Sequence, residues 1–218
     1  MYTLQPQKLA SRVYLPIHCR MRDDRNDEML MLAYRDGDAL AFEVLYGRWR
    51  GKLYRYLLRQ CGSPAYAEEL YQDIWLKIVA ARAGYEVTAK FSTWLFRIAH
   101  NRVIDHYRRH AGDAAASYTS DGEDMNGEGG DEFDPVASLA APVTEQPETL
   151  LARKALAEEL VRQIDALPAA QRETFILSEE GEMTLEEIAA ATGVNRETAK
   201  SRLRYAVAKL RHNLKELR

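Results

Sequence analysis

TLEEIAAATGVNRETAKSRLRYAVAKLR, residues 184–211, decides the fold of the C-terminal part of the chain. Thr184 and Glu187 have the three-residue spacing of a capping box, which predicts that a short helix begins here. Gly193 can end that helix, and Asn195 can cap a second, basic helix that runs towards the C-terminus. A short helix, a turn containing glycine and a second helix together predict a helix-turn-helix.

The second helix of this unit carries a predicted DNA-binding face. In a helix-turn-helix, the N-terminal turn of the second helix meets base edges in the major groove of DNA. Arg196, Glu197 and Lys200 have side chains suited to guanine acceptors or cytosine amino groups. Arg202 and Arg204 are better placed to contact phosphates, which adds affinity without sequence information. The alternative is a solvated cationic helix at the end of a helical bundle.

Helical periodicity on both sides of an acidic segment predicts an all-α protein of two small helical domains. We predict an N-terminal extension over residues 1–25, flexible in character, and a first helical domain over 26–110. A flexible linker rich in Gly, Ser, Asp and Pro follows over 111–149, and the helix-turn-helix domain occupies 150–218.

Charge is segregated along the chain. The formal net charge is −3, yet residues 111–149 contain ten acids and neither lysine nor arginine, so the rest of the chain carries +7. The small global charge therefore does not argue against a polyanionic partner, because the local field decides binding.

A second basic helix is predicted over residues 92–109, with Ser92 as its N-cap. Arg97, Asn101, Asp105 and Arg108 share one side of the helical wheel, and Trp94 lies beside them. Leu95, Ile98 and Ala99 point away from this side, towards the core. Cations with an indole suit a nucleic acid that exposes its bases, because the cations hold the backbone while the aromatic face stacks. The alternative is that Trp94 belongs to the core and the arginines are only solvated.

The helix before it offers acids instead, namely Glu68, Glu69 and Asp73, together with Gln72. Glu69 and Asp73 are one turn apart, but no His or Cys lies close enough to complete a metal site, so we expect a protein-docking face. His106 and His110 likewise lack a third ligand, and no cofactor or metal is expected. The two cysteines, Cys19 and Cys61, do not indicate a disulfide framework.

Three stretches together resemble the extracytoplasmic-function class of bacterial RNA polymerase sigma factors, in the sigma-70 superfamily. AEELYQDIWLKIV (67–79) resembles the helix that docks on the β′ coiled coil of polymerase. FSTWLFRIAHNRVIDHYRR (91–109) resembles the helices that open and read the −10 promoter element. ALPAAQRETFILSEEGEMTLEEIAAATGVNRETAKSRLRYAVAKLR (166–211) resembles the domain that binds the −35 element.

The resemblance implies a role for each candidate set. Core polymerase would be contacted, through its β′ coiled coil and β subunit, by a helix bearing Glu68, Glu69, Gln72 and Asp73. The −10 DNA would be contacted by Trp94, Arg97, Asn101 and Arg108, and the loop over 83–90 would lie where such proteins trap a flipped base. The −35 element would be contacted by Arg196, Glu197, Lys200, Arg202 and Arg204.

The resemblance also implies an anti-sigma factor as a further partner and no bond chemistry of the chain's own. Two other classes are less consistent with the sequence. A helix-turn-helix regulator of the two-component type should carry a receiver domain, but residues 26–110 show only helical patterns. An enzyme should carry a nucleophile–base arrangement or a phosphate-binding glycine loop, and neither is apparent. No segment predicts secretion or membrane insertion, so the expected location is cytoplasmic.

Overall fold

The computed structural model describes residues 23–110 and 147–215, with side chains over 23–109 and 154–215. Within those ranges the regular structure is entirely helical, so the all-α prediction is confirmed. Most of the acidic segment 111–149 and of the extension 1–25 lies outside the described residues. No helix in the described ranges has both the length and the apolar character that a bilayer span requires.

Eight α-helices and one 3-10 turn make up the described fold. The N-terminal unit contains α1 (Asp27–Arg35), α2 (Ala39–Cys61), α3 (Pro64–Ala81), the 3-10 turn Arg82–Gly84 and α4 (Phe91–His110). The C-terminal unit contains α5 (Pro147–Asp165), α6 (Ala169–Glu179), α7 (Leu185–Thr192) and α8 (Arg196–Lys215). Helix α5 therefore begins three residues inside the predicted linker.

Local capping explains several helix boundaries. The Asp38 carboxylate accepts a bond of 3.0 Å from the Leu40 amide at the start of α2. Gly62 ends that helix in the left-handed conformation, at φ 65°. Ser63 and Pro64 open α3 as predicted, although the Ser63 side chain makes no capping bond. The predicted N-cap at Ser92 is wrong, because α4 begins at Phe91 and the Trp94 amide bonds to the carbonyl of residue 90.

An aromatic cluster forms the centre of the N-terminal unit. The Trp49 ring of α2 lies 6.1 Å from Phe91 and 6.0 Å from Phe96, measured between centroids. Its indole N–H donates to the Asp27 carboxylate at 2.8 Å, so the polar edge of this buried ring is satisfied. Leu95 and Ala99 of α4 are fully buried, as the helical wheel predicted.

The two units share one continuous hydrophobic core. Buried residues of α6 and α7, among them Ile176, Leu177 and Ile188, belong to the same cluster as buried residues of α2 and α4. In particular, α7 packs along α4. A smaller cluster of Leu167, Ala206 and Leu210, with Ile164 of α5 packed against it, lies along α8 inside the C-terminal unit. The periodicity of the sequence predicted the two helical units, but not that they pack against each other.

Candidate nucleic-acid interfaces

The helix-turn-helix is built from the local signals that predicted it. The Thr184 hydroxyl accepts from the Glu187 amide, and the Glu187 carboxylate accepts from the Thr184 amide, so the predicted capping box is present. Gly193 ends α7 with φ 72°, in the left-handed region that favours glycine. The Asn195 side chain accepts a bond of 2.7 Å from the Thr198 amide and so caps α8. Together these contacts fix the angle at which α8 leaves the turn.

The outer face of α8 presents most of the predicted −35 residues to solvent. Ala199 is fully buried and orients the helix. Four of the five predicted residues are exposed, namely Arg196, Glu197, Lys200 and Arg204. The structure therefore brings these four onto one accessible surface of α8, whereas Arg202 is half-buried further round the helix.

Arg196 is engaged by two carboxylates at the start of α8. Its guanidinium pairs with Glu186 of α7 and lies 3.4 Å from the Glu197 carboxylate. The hydrogen bond that Arg196 donates to Glu186 is the main reason that the pKa of Arg196 is raised, and the same bond lowers the pKa of Glu186. Glu186 was not among the sequence candidates, because an acid in the first turn of α7 is explained by the helix dipole alone.

The predicted −10 face of α4 is also accessible. Arg97, Asn101 and Arg108 are exposed on one side of the helix, with Asp105 among them. Trp94 is half-buried, so it is neither a pure core residue nor a fully exposed stacking residue. Its ring is 5.1 Å from Tyr85 and 5.9 Å from Phe91, so one part of the indole belongs to the core and the rest faces outward.

Tyr85 is a residue of this site that the sequence did not single out. It is the one buried residue of the loop 83–90, and its ring packs against the ring of Trp94. Burial, followed by the charges of Glu28 and Asp27, raises the pKa of Tyr85 to about 12. Tyr85 is buried and meets Trp94 edge to face, so Trp94 is the ring of this pair that could stack with an unstacked base.

Three of the four residues predicted to dock on polymerase are exposed on α3, and the fourth is paired with another helix. Glu68, Glu69 and Gln72 are exposed, whereas Asp73 pairs with Arg102 of α4. Beyond them, Leu76 is 67% exposed and Val79 is 38% exposed. These two residues continue the same helix face, so the accessible surface combines acids with an apolar end. The sequence did not place these two residues on the docking face, because that prediction rested on the polar residues of the helix.

The other candidate ligands occupy structural positions. His106 is buried, with its ring 4.7 Å from Tyr66 and 5.9 Å from Tyr107. Cys61 is half-buried at the end of α2, and burial raises the pKa of its thiol to about 11. The Cys19 and His110 side chains lie outside the described residues.

Comparison with known families agrees with the division into two helical units. The family model for Sigma-70 region 2 matches residues 45–112, which cover most of α2 and all of α3 and α4. The model for Sigma-70 region 4 matches residues 157–210, which extend from α5 into α8.

Relatives of known function match over nearly their whole length. The RNA polymerase sigma factor CarQ of Myxococcus xanthus is 31% identical over 189 residues, which cover 86% of this chain and 97% of CarQ. The sigma factor RpoE of Cereibacter sphaeroides is 31% identical over 199 residues, covering 88% of this chain and 98% of RpoE.

Two solved structures share the fold. CnrH, solved in complex with the cytosolic domain of CnrY, aligns with a TM-score of 0.57 at 21% identity, covering 87% of this chain and 97% of CnrH. RpoE of Bartonella quintana, solved with the anti-sigma factor NepR, aligns with a TM-score of 0.53 at 22% identity, covering 80% of this chain and 96% of RpoE. The chain has two exposed cationic helix faces, matches the models of both sigma-70 regions, and aligns with its relatives over almost their whole length. It therefore belongs to the extracytoplasmic-function family of RNA polymerase sigma factors.

Proposed function

We propose that the chain binds core RNA polymerase and directs it to promoters by reading a −35 and a −10 element. The observation that carries this proposal is the presence of two accessible cationic helix faces, on α4 and on α8, within one chain of the sigma family. The face on α8 suits duplex DNA, and the face on α4 suits single-stranded DNA with unstacked bases. A protein that recognises both can select a promoter and stabilise its melted form.

At the −35 element, the N-terminal turn of α8 would enter the major groove. Arg196 and Lys200 would donate to guanine acceptors, and Glu197 would accept from a cytosine amino group. Arg202 and Arg204 would contact phosphates. The guanidinium of Arg204 lies over the Tyr205 ring, 5.1 Å from its centroid, which holds the cation at the surface.

At the −10 element, α4 would hold single-stranded DNA. Arg97 and Arg108 would contact the backbone, Asn101 would bond a base edge, and Trp94 would stack against a flipped base above Tyr85. Melting a base step costs a few kcal/mol, and stacking on an aromatic side chain offsets roughly 1–3 kcal/mol per base. The exposed loop 83–90 leads directly into this surface.

Core polymerase would dock on the exposed face of α3. Glu68, Glu69 and Gln72 would contact the β′ coiled coil, with the β subunit as a further contact of the chain. Asp73 is paired with Arg102, so we propose that it positions α4 against α3 or changes partner on docking. Leu76 and Val79 would supply the apolar centre that polar docking faces usually contain.

We propose the same functional division of the chain that the sequence predicted. Residues 26–110 would bind polymerase and the −10 element, and residues 150–218 would bind the −35 element. Residues 111–149 would connect them as an acidic linker, and residues 1–25 would be an extension. The last part of that extension contacts the fold, because the Arg48 guanidinium donates to the Arg25 carbonyl at 2.9 Å.

A protein of this kind contributes no bond chemistry and would act in the cytoplasm, where polymerase and promoter DNA are found. An anti-sigma factor is proposed as its regulator, since the similar RpoE was solved with NepR. A run-off transcription assay with core polymerase and a random promoter library tests the whole proposal. We expect transcripts from a defined set of start sites. A chain that binds DNA but never forms a stoichiometric complex with core polymerase would instead be a helix-turn-helix regulator.

A further inference from the structure

A cavity of about 450 Å³ lies at the start of α4, where α1 and α2 meet the turn before α7. Its wall contains three cations, namely Arg48 and Lys52, which are one turn apart on α2, and Lys90, which directly precedes α4. The volume falls within the range of small-molecule sites in proteins. Apart from Lys90, which ends the loop 83–90, none of the lining residues belongs to the proposed polymerase or DNA contacts, so the proposed function leaves the cavity without a role.

A buried serine lines this cavity without a hydrogen-bonding partner. Ser92 lies in the first turn of α4 and is 8% exposed, and its hydroxyl bonds to no other described residue. A buried hydroxyl without a partner costs free energy, which a bond to a ligand atom would offset. The same end of α4, a helix of 20 residues, presents first-turn amides and the positive end of the helix dipole, and both favour an anion.

Lys52 is held at the cavity by contacts that a ligand can replace. Its ammonium nitrogen lies 5.1 Å from the centroid of the Trp49 ring and 2.8 Å from the Glu182 carboxylate. The Glu182 side chain is 78% exposed, so its ion pair with Lys52 is weak in water. A phosphate that enters the cavity offers more acceptor oxygens and can take the place of Glu182.

The second acid of the wall is already engaged. The Asp27 carboxylate accepts from Arg48 at 2.6 Å and from the Trp49 indole at 2.8 Å. The charges of Asp27 and Arg48 therefore largely balance each other. Because Glu182 extends into solvent, Lys52 and Lys90 leave the cavity with a positive field.

We propose that this cavity binds a small phosphorylated ligand of at most mononucleotide size, whose phosphates contact Lys52, Lys90 and the Ser92 hydroxyl at the start of α4. A phosphate group suits this set because several of its oxygens can accept at once from two ammonium groups, a hydroxyl and a helix terminus. A single inorganic phosphate would leave most of the volume empty, so the ligand carries two linked phosphates or a nucleoside as well. The site needs neither polymerase nor promoter DNA, so it goes beyond the proposed function.

Isothermal titration calorimetry of the full chain, without polymerase, tests the site with pyrophosphate, ADP and adenosine as probes. We expect pyrophosphate and ADP to bind at one site per chain and adenosine not to bind, because the phosphates supply the contacts. Tighter binding of ADP than of pyrophosphate would show that the nucleoside fills the rest of the cavity, and equal affinity would identify the diphosphate alone as the ligand. The absence of saturable binding of both phosphate probes at millimolar concentration would overturn the proposal.

Two substitutions with opposite expected effects show whether the probe occupies this cavity. Lys52→Gln should weaken pyrophosphate binding about threefold to tenfold, because it removes a charged donor. Glu182→Gln should strengthen binding about twofold to fivefold, because it removes the acid that competes for Lys52. Lys77→Gln, at an exposed lysine of α3 outside the cavity, is the matched control and should leave binding unchanged. Equal effects of Lys52→Gln and Lys77→Gln would mean that the probe binds elsewhere and would overturn the site.

A neutral substitution tests the unpartnered hydroxyl. Ser92→Ala should weaken pyrophosphate binding about twofold to tenfold, because it removes one hydrogen bond to the ligand. Ser63→Ala is the matched control, since Ser63 also stands at the start of a helix and its side chain makes no capping bond. Equal effects of the two variants would contradict the role of Ser92. Circular dichroism of each variant checks that the helical fold is kept.

A single-stranded oligonucleotide separates a free ligand from a DNA backbone, which carries the same phosphate chemistry. If only the oligonucleotide binds, and its affinity falls on Lys52→Gln and Ser92→Ala, the cavity is a DNA contact and the small-ligand proposal falls. Run-off transcription is measured separately. A chain that binds pyrophosphate in the cavity but directs no transcription keeps the site and loses the proposed function, and the reverse result removes the site alone.

Discussion

Lys90 and Glu187 form an ion pair of 2.7 Å that joins the loop before α4 to the first helix of the helix-turn-helix. The other carboxylate oxygen of Glu187 accepts from the Thr184 amide at 2.9 Å and completes the capping box. Burial alone would raise the pKa of Glu187, but the bonds from Lys90 and Thr184 outweigh it and lower the pKa. One side chain thus starts α7 and holds it against the neighbouring unit.

Two substitutions at Glu187 should separate these roles. Glu187→Gln keeps an oxygen for the Thr184 amide and loses only a partly exposed ion pair, so we expect a loss of about 0.2–1 kcal/mol in the free energy of unfolding. Glu187→Ala also loses its half of the capping box, which adds about 0.5–1.5 kcal/mol. Urea denaturation followed by circular dichroism measures both. Equal losses would show that the capping bond contributes nothing.

Substitutions at the start of α8 should change −35 recognition. Arg196→Ala or Lys200→Ala is expected to weaken binding to a −35 duplex by about 1–3 kcal/mol and to leave core polymerase binding intact. Glu186→Gln should strengthen binding, because it removes one of the two carboxylates that engage Arg196 and a charge that repels phosphate. Fluorescence anisotropy with specific and scrambled duplexes measures these effects.

Lys209→Ala is the control for that series. It removes an exposed cation from the C-terminal half of α8, so it should weaken binding to both duplexes alike. If Arg196→Ala also weakened both duplexes equally, its role would be a phosphate contact rather than a base contact.

Alanine substitutions at two nearby positions of α3 should affect different properties, one the stability of the fold and the other the binding of polymerase. Ile74 is fully buried, so Ile74→Ala should cost about 2–5 kcal/mol of stability through the cavity it leaves. Leu76 is largely exposed, so Leu76→Ala should change stability by less than about 0.5 kcal/mol. We expect Leu76→Ala instead to weaken core polymerase binding about fivefold in a pull-down titration. Unchanged polymerase binding would remove Leu76 from the docking face.

The Cys61 thiol should react slowly in the folded protein. Its pKa is raised from 9.0 to about 11, so at pH 8 its thiolate fraction is roughly a hundredfold lower than that of an ordinary cysteine. Iodoacetamide labelling of a Cys19→Ser variant, folded and in urea, measures this difference. Because the unfolded chain ionises first, the free energy of unfolding should fall as pH rises from about 9 to about 11. Rapid labelling of the folded chain would contradict the burial of Cys61.

The helix-turn-helix could be predicted closely because its signals are local. The capping box, the glycine at the turn and the cap at Asn195 each act within a few residues, so their spacing alone specifies the geometry. The wrong cap at Ser92 shows the limit of this reasoning. A serine in the first turn resembles a cap in sequence, whereas α4 already begins at Phe91, whose amide donates to the Glu28 carboxylate and whose ring packs near Trp49.

The packing of the two units could not be predicted in the same way. Tyr56 and Glu173 are 117 residues apart, and an acid within a helical pattern is normally assigned to the solvent face. Leu76 was missed for a different reason, since the predicted docking face rested on the polar residues of α3 alone. For Glu173, the partners elsewhere in the chain decide the environment, and the local pattern carries no information about them.

Because Glu173 takes its described hydrogen bonds from Tyr56 and His100, a C-terminal fragment used on its own would lack both donors. Apolar residues of that fragment that share one cluster with α2 and α4 would also lose part of their cover, which favours self-association. Promoter strengths should therefore be ranked with the whole chain, because self-association lowers the concentration of fragment that is free to bind DNA.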